Sequence, residues 1–185
     1  MVMLGAPIYR ALHNFQSKRY WALGACRVQR GGHPWYAHVM MIDIGAKPKT
    51  ARSATARAFV AMAPPTRDAI LQGAVPKGNV FEAARIAALL AAKRVPDLIP
   101  HCHPIALVGM EVACSFAPDG VQIVVTVRAE DRTGAEMEAL TAAAIAALTV
   151  YDMCKATDPA MVIRDVCLLE KSGGKSGHWS ANRSS

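Results

Sequence analysis

The chain has 185 residues, enough for one domain with a substantial core. Hydrophobic residues make up 52% of it and aromatic residues only 6%, so that core must be aliphatic and rich in alanine. A net charge of +7 is typical of a solvated basic surface or of a protein that binds an anionic partner. No basic run is interleaved with aromatic residues and no nucleic-acid-binding motif is present, so a phosphate ligand is favoured over nucleic acid.

The five cysteines indicate the compartment. Their number is odd and no C-x-x-C pair occurs, so we expect free thiols in a reducing compartment, the cytoplasm, rather than a disulfide framework. No apolar run is long enough to span a bilayer without flanking charge, and we therefore expect no membrane association.

The first part of the chain differs in composition from the rest. Residues 1–42 contain no Asp or Glu but five Arg and Lys, and they lack the apolar centre of a secretory signal. An organelle transit peptide is an alternative, which would place the protein in an organelle matrix, but only one serine, Ser17, is present. We predict a poorly ordered basic extension over residues 1–37, a single domain over 38–178 beginning near His38, and a tail over 179–185.

The first predicted elements of the domain are a strand and two helices. Arg57–Met62 is typical of a strand, and Thr66 is placed to cap a short helix over Arg67–Gln72. Asn79 precedes Glu82 by three residues, as in a capping box, which predicts a helix over 80–94.

Two further strands follow. Pro96 should end the preceding helix, and a loop over 97–104 leads to a strand over 107–116. A Pro-Asp-Gly turn then connects to alternating residues that predict a strand over 121–127.

The last elements are a long helix and a final strand. Alanine, leucine and β-branched residues predict a helix over 134–157, followed by a strand over 161–169 and a Gly/Ser/Lys-rich tail. From Arg57 onward, with the short helix set aside, the order is strand, helix, strand, strand, helix, strand. This order predicts an α+β fold of the ferredoxin-like, split β-α-β kind, with an antiparallel sheet and both helices on one face.

The long helix carries charge only at its ends. Nothing ionisable lies between Glu138 and Asp152, so most of its faces must be covered by protein. Glu136 and Asp152 are sixteen residues apart, roughly 24 Å along a helix, whereas Asp152 and Lys155 share one face. If both ends are functional, the chain has two sites, or a second subunit brings the ends together.

Other residues are placed for binding or proton transfer. His101, Cys102 and His103 lie between two prolines, and the stiffened loop suits His103 to substrate binding or proton transfer. Adjacent ligands fit a tetrahedral ion poorly, so we expect no metal. Lys77 stands at a helix start, and Lys171 and Lys175 flank glycines, which suits anions but is also typical of solvated lysines and a flexible tail.

Several blocks of the sequence occur in an order that resembles one known family, the cyclic pyranopterin monophosphate synthases of molybdenum cofactor biosynthesis (the MoaC family). The resemblance covers about residues 38 to 178. The blocks that carry it include Lys77-Gly-Asn-Val-Phe81, Cys102-His-Pro104, Thr133-Gly-Ala-Glu-Met-Glu-Ala-Leu-Thr141, Tyr151-Asp-Met-Cys-Lys-Ala156 and Lys171-Ser-Gly-Gly-Lys-Ser-Gly177.

The resemblance implies an activity, an assembly and a set of site residues. The family converts a cyclised dihydroguanosine triphosphate into cyclic pyranopterin monophosphate and pyrophosphate, as hexamers (trimers of dimers) with active sites at subunit interfaces. We expect no cofactor. By resemblance, the catalytic residues are Asp152, Lys155, Lys77 and His103, and the substrate-binding residues are His101, Cys102, Met137, Glu136, Glu138, Arg52, Lys171 and Lys175.

Three departures from the family pattern concern the phosphate side. His101 replaces an apolar residue, Thr55 replaces a common second arginine, and Glu130-Asp131-Arg132 stands where Thr-Gly-Lys is usual, adding two acids. An active synthase remains the leading hypothesis. The alternatives are a non-catalytic relative that binds a nucleotide or pterin, and a basic nucleic-acid-binding module inferred from net charge alone.

Overall fold

The computed structural model describes residues 41–181. The predictions of a poorly ordered extension, of a transit peptide and of a domain start near His38 concern residues outside this range.

One antiparallel sheet forms the framework of the domain. Its strands run in the spatial order β2-β3-β1-β4-β5, and β1 lies between β3 and β4. The first four strands follow the order expected of a ferredoxin-like sheet, which confirms the predicted fold class. The strands are β1 Thr50–Ala61, β2 Leu107–Ala117, β3 Gly120–Asp131, β4 Val162–Ser172 and β5 Trp179–Ser180.

Four helices complete the described part of the fold. The long α4 packs on β1, β3 and β4, while α2 packs on α4 and β2. The helices are α1 Pro64–Leu71, α2 Val80–Ala92, α3 Val95–Leu98 and α4 Glu136–Cys154.

Small side chains let the helices approach the sheet closely. Alternate residues of β1 (Ala54, Ala56 and Ala58) are fully buried, and they meet buried alanines on one face of α4 (Ala139, Ala142, Ala143, Ala146 and Ala147). Valine and isoleucine on β3 fill the remaining space. The domain is therefore an aliphatic two-layer structure, as its low aromatic content predicted.

By length and composition alone, α4 is long and apolar enough to cross a membrane, although charged residues lie at both of its ends. Half of its apolar stretch is buried inside the domain, against the sheet and α2. This is the environment of a core helix in a globular domain.

Several predicted boundaries were wrong. β1 begins at Thr50 rather than Arg57, because its polar first residues pair with both β3 and β4. β3 likewise extends to Asp131, where it pairs with Thr50. The helix α4 is shorter than predicted and begins at Glu136, after Ala135, whose side chain makes no capping hydrogen bond.

The helix ends near Pro96 and Thr66 also differ from the predicted ones. α2 ends at Ala92 and a separate α3 follows, because Pro96 sits in its first turn, where no backbone N–H is needed. Thr66 lies inside α1 rather than capping it. Asn79 is the N-cap of α2 as predicted, since its side chain accepts a hydrogen bond from the Glu82 N–H at 3.1 Å. The Glu82 side chain pairs with Arg85 rather than completing the capping box.

The C-terminal residues also contribute a strand. β4 spans 162–172 rather than the predicted 161–169, because its end pairs with both β1 and β5. Trp179 pairs with Lys171 and Ser180 with Glu170, so residues we had assigned to the tail add an edge strand to the sheet.

Candidate active site

The polar residues predicted to form the site gather at the two ends of α4. Glu136 opens the helix and Asp152 lies in its last turn. Sixteen residues of continuous α-helix separate them by roughly 24 Å. Each end therefore carries its own cluster of polar side chains.

At the C-terminal end of α4, one carboxylate lies between two lysines. Asp152 Oδ1 is 2.8 Å from Lys155 Nζ, and Asp152 Oδ2 is 2.7 Å from Lys77 Nζ. Lys77 also donates to the backbone carbonyl of Asp152 at 3.0 Å. All three side chains are about half exposed, so the cluster is open to a ligand.

The charges in this cluster stabilise one another. Hydrogen bonds from Lys155 and then Lys77 lower the pKa of Asp152 to about 2. The hydrogen bond between Asp152 and Lys155 also raises the pKa of Lys155 above its ordinary value. Asp152 and Lys155 share one helix face, as their spacing predicted, and both groups are charged at neutral pH.

Local structure explains how Lys77 reaches Asp152. Lys77 stands in the connection between α1 and α2, directly before Gly78, whose φ of +95° falls in the region that favours glycine. Asn79 then caps α2. The chain thus turns sharply between Lys77 and the helix, with the ammonium directed at the end of α4.

At the N-terminal end of α4, a cavity of about 310 Å³ collects most of the other predicted residues. It is lined by His101, Cys102, His103, Thr133, Gly134, Glu136, Met137 and Glu138. The histidine loop and the first turn of α4 thus line one pocket. Burial raises the pKa of the Cys102 thiol, with a further contribution from Glu138, so this thiol is not activated as a nucleophile.

Glu138 is the most buried acidic side chain of the pocket. Its exposure is 3%, and it forms no salt bridge within residues 41–181. Burial raises the pKa of Glu138 to about 7, and the neighbouring carboxylate of Glu136 contributes to the rise. Near neutral pH this carboxyl can therefore both give and take a proton.

The raised pKa of Glu138 predicts a pH dependence of stability. Its folded pKa of about 7 lies above the ordinary value of 4.5, so the folded state holds an extra proton between these values. This extra proton stabilises the folded state fully below about pH 4.5, and the stabilisation is lost as the pH rises through about 7. A shift of this size corresponds to at most about 3 kcal/mol.

The free energy of unfolding of the wild type should therefore fall when the pH is raised from about 4.5 to about 8. We expect a smaller fall in Glu138→Gln, which imitates the protonated acid. Urea unfolding at both pH values measures the difference. Glu130→Gln, at an exposed position on β3, is the matched control. Equal pH dependence in wild type and Glu138→Gln would contradict the assignment.

Glu136, in contrast, is paired with a cation. Lys171 Nζ lies 2.8 Å from Glu136 Oε1. Burial opposes ionisation of Glu136, but the hydrogen bond from Lys171 and the charge of Arg52 outweigh it and lower its pKa. Two adjacent carboxyl groups, Glu136 and Glu138, therefore have pKa values shifted in opposite directions.

Arg52 lies near the start of β1, where the Gly-rich segment after β4 passes it. Its Nε donates to the carbonyl of Asp131 at 2.9 Å and its Nη2 to the carbonyl of Arg132 at 3.2 Å. A side chain at Gly174 would meet the Arg52 guanidinium, with its Cβ 2.5 Å from Nη1. The glycines thus let this segment pass over Arg52. Lys171 lies just before them in β4, where its pairing with Ala54 of β1 fixes its position.

A second cavity, of about 480 Å³, lies on the other side of His103. It contains two cations, Lys49 and Arg132, that the sequence had not singled out as ligand contacts. The remaining lining residues are His103, Pro104, Asp131 and residues 41–45. The two cavities share His103, so this side chain stands between the carboxylate pocket and a cavity with cations in its wall.

Residues in two of the departures from the family pattern, Asp131 and Thr55, form local hydrogen bonds. Asp131 accepts from the Ala106 N–H and the Arg132 N–H, both at 2.8 Å, which lowers its pKa. The Thr55 hydroxyl lies 3.1 Å from that of Thr126 and donates to Glu170 at 3.2 Å. These residues thus have structural partners within the sheet and the adjoining loop.

The remaining predicted residues lie apart from these contacts. Lys175 is exposed and forms no ion pair within the described part of the chain. His101 lines the carboxylate pocket from an exposed position. No group of three or more His, Cys, Asp or Glu side chains among residues 41–181 is arranged to hold a metal ion.

Fold and site together define a class of protein. It is a ferredoxin-like α+β domain with a Lys-Asp-Lys cluster at one end of its core helix and a carboxylate pocket at the other. Comparison with known families gives the specific assignment. Residues 41–174 match the family described as the MoaC family, and the chain belongs to that family.

Individual relatives extend over most of the chain. A protein of Novosphingobium aromaticivorans named cyclic pyranopterin monophosphate synthase is 51% identical over 141 residues, covering 76% of this chain and 90% of the relative. A protein of Rhodospirillum rubrum with the same name is 49% identical over 147 residues, covering 78% and 89%. The family match over residues 41–174 includes both ends of α4.

Proposed function

We propose that this protein is a cyclic pyranopterin monophosphate synthase. It converts (8S)-3′,8-cyclo-7,8-dihydroguanosine 5′-triphosphate into cyclic pyranopterin monophosphate and pyrophosphate, an early step of molybdenum cofactor biosynthesis. Family membership supports the reaction. The observation that carries the proposal within the chain is the Asp152 carboxylate held between Lys77 and Lys155, open to a ligand.

The reaction needs groups that move protons while a purine-derived ring system opens and recloses. The Asp152 carboxylate, with a pKa of about 2, is a weak base that holds two ammonium groups in place. The raised pKa of Lys155 keeps it protonated, so it holds a positive charge beside the substrate. It also makes Lys155 a weaker acid, so Lys155 would give its proton only to a strongly basic substrate atom. Glu138, with a pKa of about 7, and His103 beside it are placed to exchange protons with substrate.

The substrate also presents two kinds of polar surface. Carboxylates such as Glu136 and Glu138 accept hydrogen bonds from the N–H groups of a guanine-type base, and Cys102 and Met137 border the same pocket. The triphosphate and the leaving pyrophosphate need cations, which Lys77, Arg52, Lys171 and Lys175 supply. Lys49 and Arg132, across His103, add two more.

The active site is shared between subunits. One chain separates its two clusters by roughly 24 Å, more than a single small substrate bridges. If the carboxylate pocket of one subunit faces the Lys-Asp-Lys cluster of another, all these groups surround one substrate. We propose a hexamer, a trimer of dimers, in which each site forms at a subunit interface.

The location we propose is the cytoplasm. The four cysteines within the described residues are free thiols, which suits a reducing compartment. The partner is a small nucleotide-derived triphosphate, with no role for nucleic acid or a membrane.

The direct test supplies the cyclised triphosphate and follows pyrophosphate together with the pyranopterin product. We expect turnover by the wild type and its loss in Asp152→Asn. Tight binding of substrate without product would instead identify a non-catalytic relative. Salt-sensitive binding to DNA or RNA without turnover would favour the nucleic-acid-binding module.

A further inference from the structure

Asp158 is a buried carboxylate with a defined task outside the two clusters. It is 8% exposed, and its Oδ2 atom accepts two hydrogen bonds from the start of α1. One comes from the Ala63 N–H at 2.9 Å and the other from the Thr66 hydroxyl at 3.1 Å. Thr66 itself is 3% exposed, so water does not compete for this contact.

The sequence of α1 explains why it needs this distant partner. Its N-cap residue is Ala63, which has no polar side chain, and Pro64 and Pro65 have no N–H to donate. Asp158, ninety-two residues after Thr66, supplies the missing acceptor and places negative charge at the helix N-terminus, where it is favoured.

From α1 the chain passes to Lys77 through a compact turn. The Ala74 N–H donates to the Ala69 carbonyl at 2.9 Å, and the Gly78 N–H donates to the Val75 carbonyl at 2.9 Å. Val75 is buried in the core. Because the turn is hydrogen-bonded to α1, a displacement of α1 also shifts the turn that carries Lys77.

Asp158 is equally fixed to the end of α4. Its backbone N–H donates to the Cys154 carbonyl at 3.1 Å, two residues beyond Asp152. The segment from α1 to Lys77 therefore meets the end of α4 at two points. Asp158 accepts hydrogen bonds from the start of the segment, and Asp152 accepts hydrogen bonds from Lys77 at the end of the segment.

We propose that Asp158 is a positioning residue, which holds Lys77 against Asp152 by anchoring the first turn of α1 to the end of α4. The inference about geometry stands on the contacts alone. Its consequence for turnover rests on the proposed function.

The first test measures the pKa of the Asp152 carboxyl in the full-length protein by carbon-13 NMR, with the signal assigned through Asp152→Asn. Lys77→Met shows the pKa of Asp152 with Lys155 as its remaining partner. We expect Asp158→Ala to raise the Asp152 pKa from about 2 by at least half of the rise seen in Lys77→Met. Asp158→Asn retains an acceptor oxygen and should keep the value near wild type.

Two controls separate positioning from general stability. Ile123→Val, a core substitution on β3, should lower Tm without moving the Asp152 pKa. Thr66→Val removes one of the two hydrogen bonds and should give a smaller rise than Asp158→Ala, which keeps the test decisive if Asp158→Ala fails to fold. An unchanged Asp152 pKa in folded Asp158→Ala or in Thr66→Val would overturn the proposal.

The second test is a double-mutant cycle on kcat. If Asp158 acts through Lys77, Asp158→Ala should lower kcat in the wild type but have little further effect in Lys77→Ala. Equal effects in both backgrounds would also overturn the proposal. Absence of turnover in the wild type would count against the proposed function, while the pKa measurement would still decide the role of Asp158.

Discussion

Lys155→Ala should abolish measurable turnover while leaving the assembly intact. In its proposed role Lys155 is a positioned proton donor, whose loss costs a factor of roughly 10² to 10⁴, and a cation beside the substrate. The substitution takes away the larger cause of the low pKa of Asp152 as well, so that pKa should rise. The Lys155 side chain is 54% exposed and supports no core contact, which is why folding should be unaffected.

Pyrophosphate release in single-turnover experiments measures the loss, and size-exclusion chromatography checks the assembly. Lys155→Arg keeps the charge but replaces the small ammonium by a broad guanidinium, and we expect only partial recovery. Arg94→Ala, which removes an exposed cation at the end of α2, is the control and should retain activity. Full activity of Lys155→Ala would contradict a catalytic role for the cluster.

Mixed oligomers of Glu138→Ala and Asp152→Ala chains should regain activity although each variant alone is inactive. In a shared site, the pocket of an Asp152→Ala chain can face the intact Lys-Asp-Lys cluster of a Glu138→Ala chain. With random mixing of equal amounts, about one site in four is complete, so recovery should approach about a quarter of wild-type activity. Turnover after co-refolding or co-expression, with both chains verified in one oligomer, measures this.

The matched control is a mixture of Asp152→Ala and Lys155→Ala chains. Both residues lie at the same end of α4, only 2.8 Å apart, so every site would lack one of them and no recovery is expected. Recovery in this control would show that complementation does not report on site sharing. Failure of Glu138→Ala and Asp152→Ala to complement in verified mixed oligomers would contradict the interfacial site.

The presence of the strands along the chain and of the core helix was predictable because their signals are local. Alternation along β3 and the uncharged middle of α4 are visible in the sequence itself, and they fix which faces are buried. The contact between Asp152 and Lys155 was predictable for the same reason, since residues three apart share a helix face.

Contacts between distant segments could not be derived in this way. Lys77 meets Asp152 across 75 residues, and Lys171 meets Glu136 across 35. Only the family resemblance placed these residues in one site. The same holds for Thr66, whose hydroxyl resembles a local helix cap in the sequence but bonds to Asp158 instead.

Asp131, one of the two acids that depart from the family pattern, illustrates the limit of residue type as a guide. Asp131 suggested repulsion of phosphate, yet its oxygens accept the N–H groups of Ala106 and Arg132. The hydrogen bond from the Ala106 N–H connects the chain that follows His103 to the end of β3. The carboxylate therefore has a structural role that hydrogen-bond geometry reveals and composition does not.

A crystal structure of the assembled protein with pyrophosphate or substrate bound tests the central claim most directly. We predict a ligand that touches Lys77 and Lys155 of one subunit and the pocket of His103 and Glu138 of another. A ligand held entirely by residues of one chain, at one end of α4, would contradict the claim that two subunits share the site.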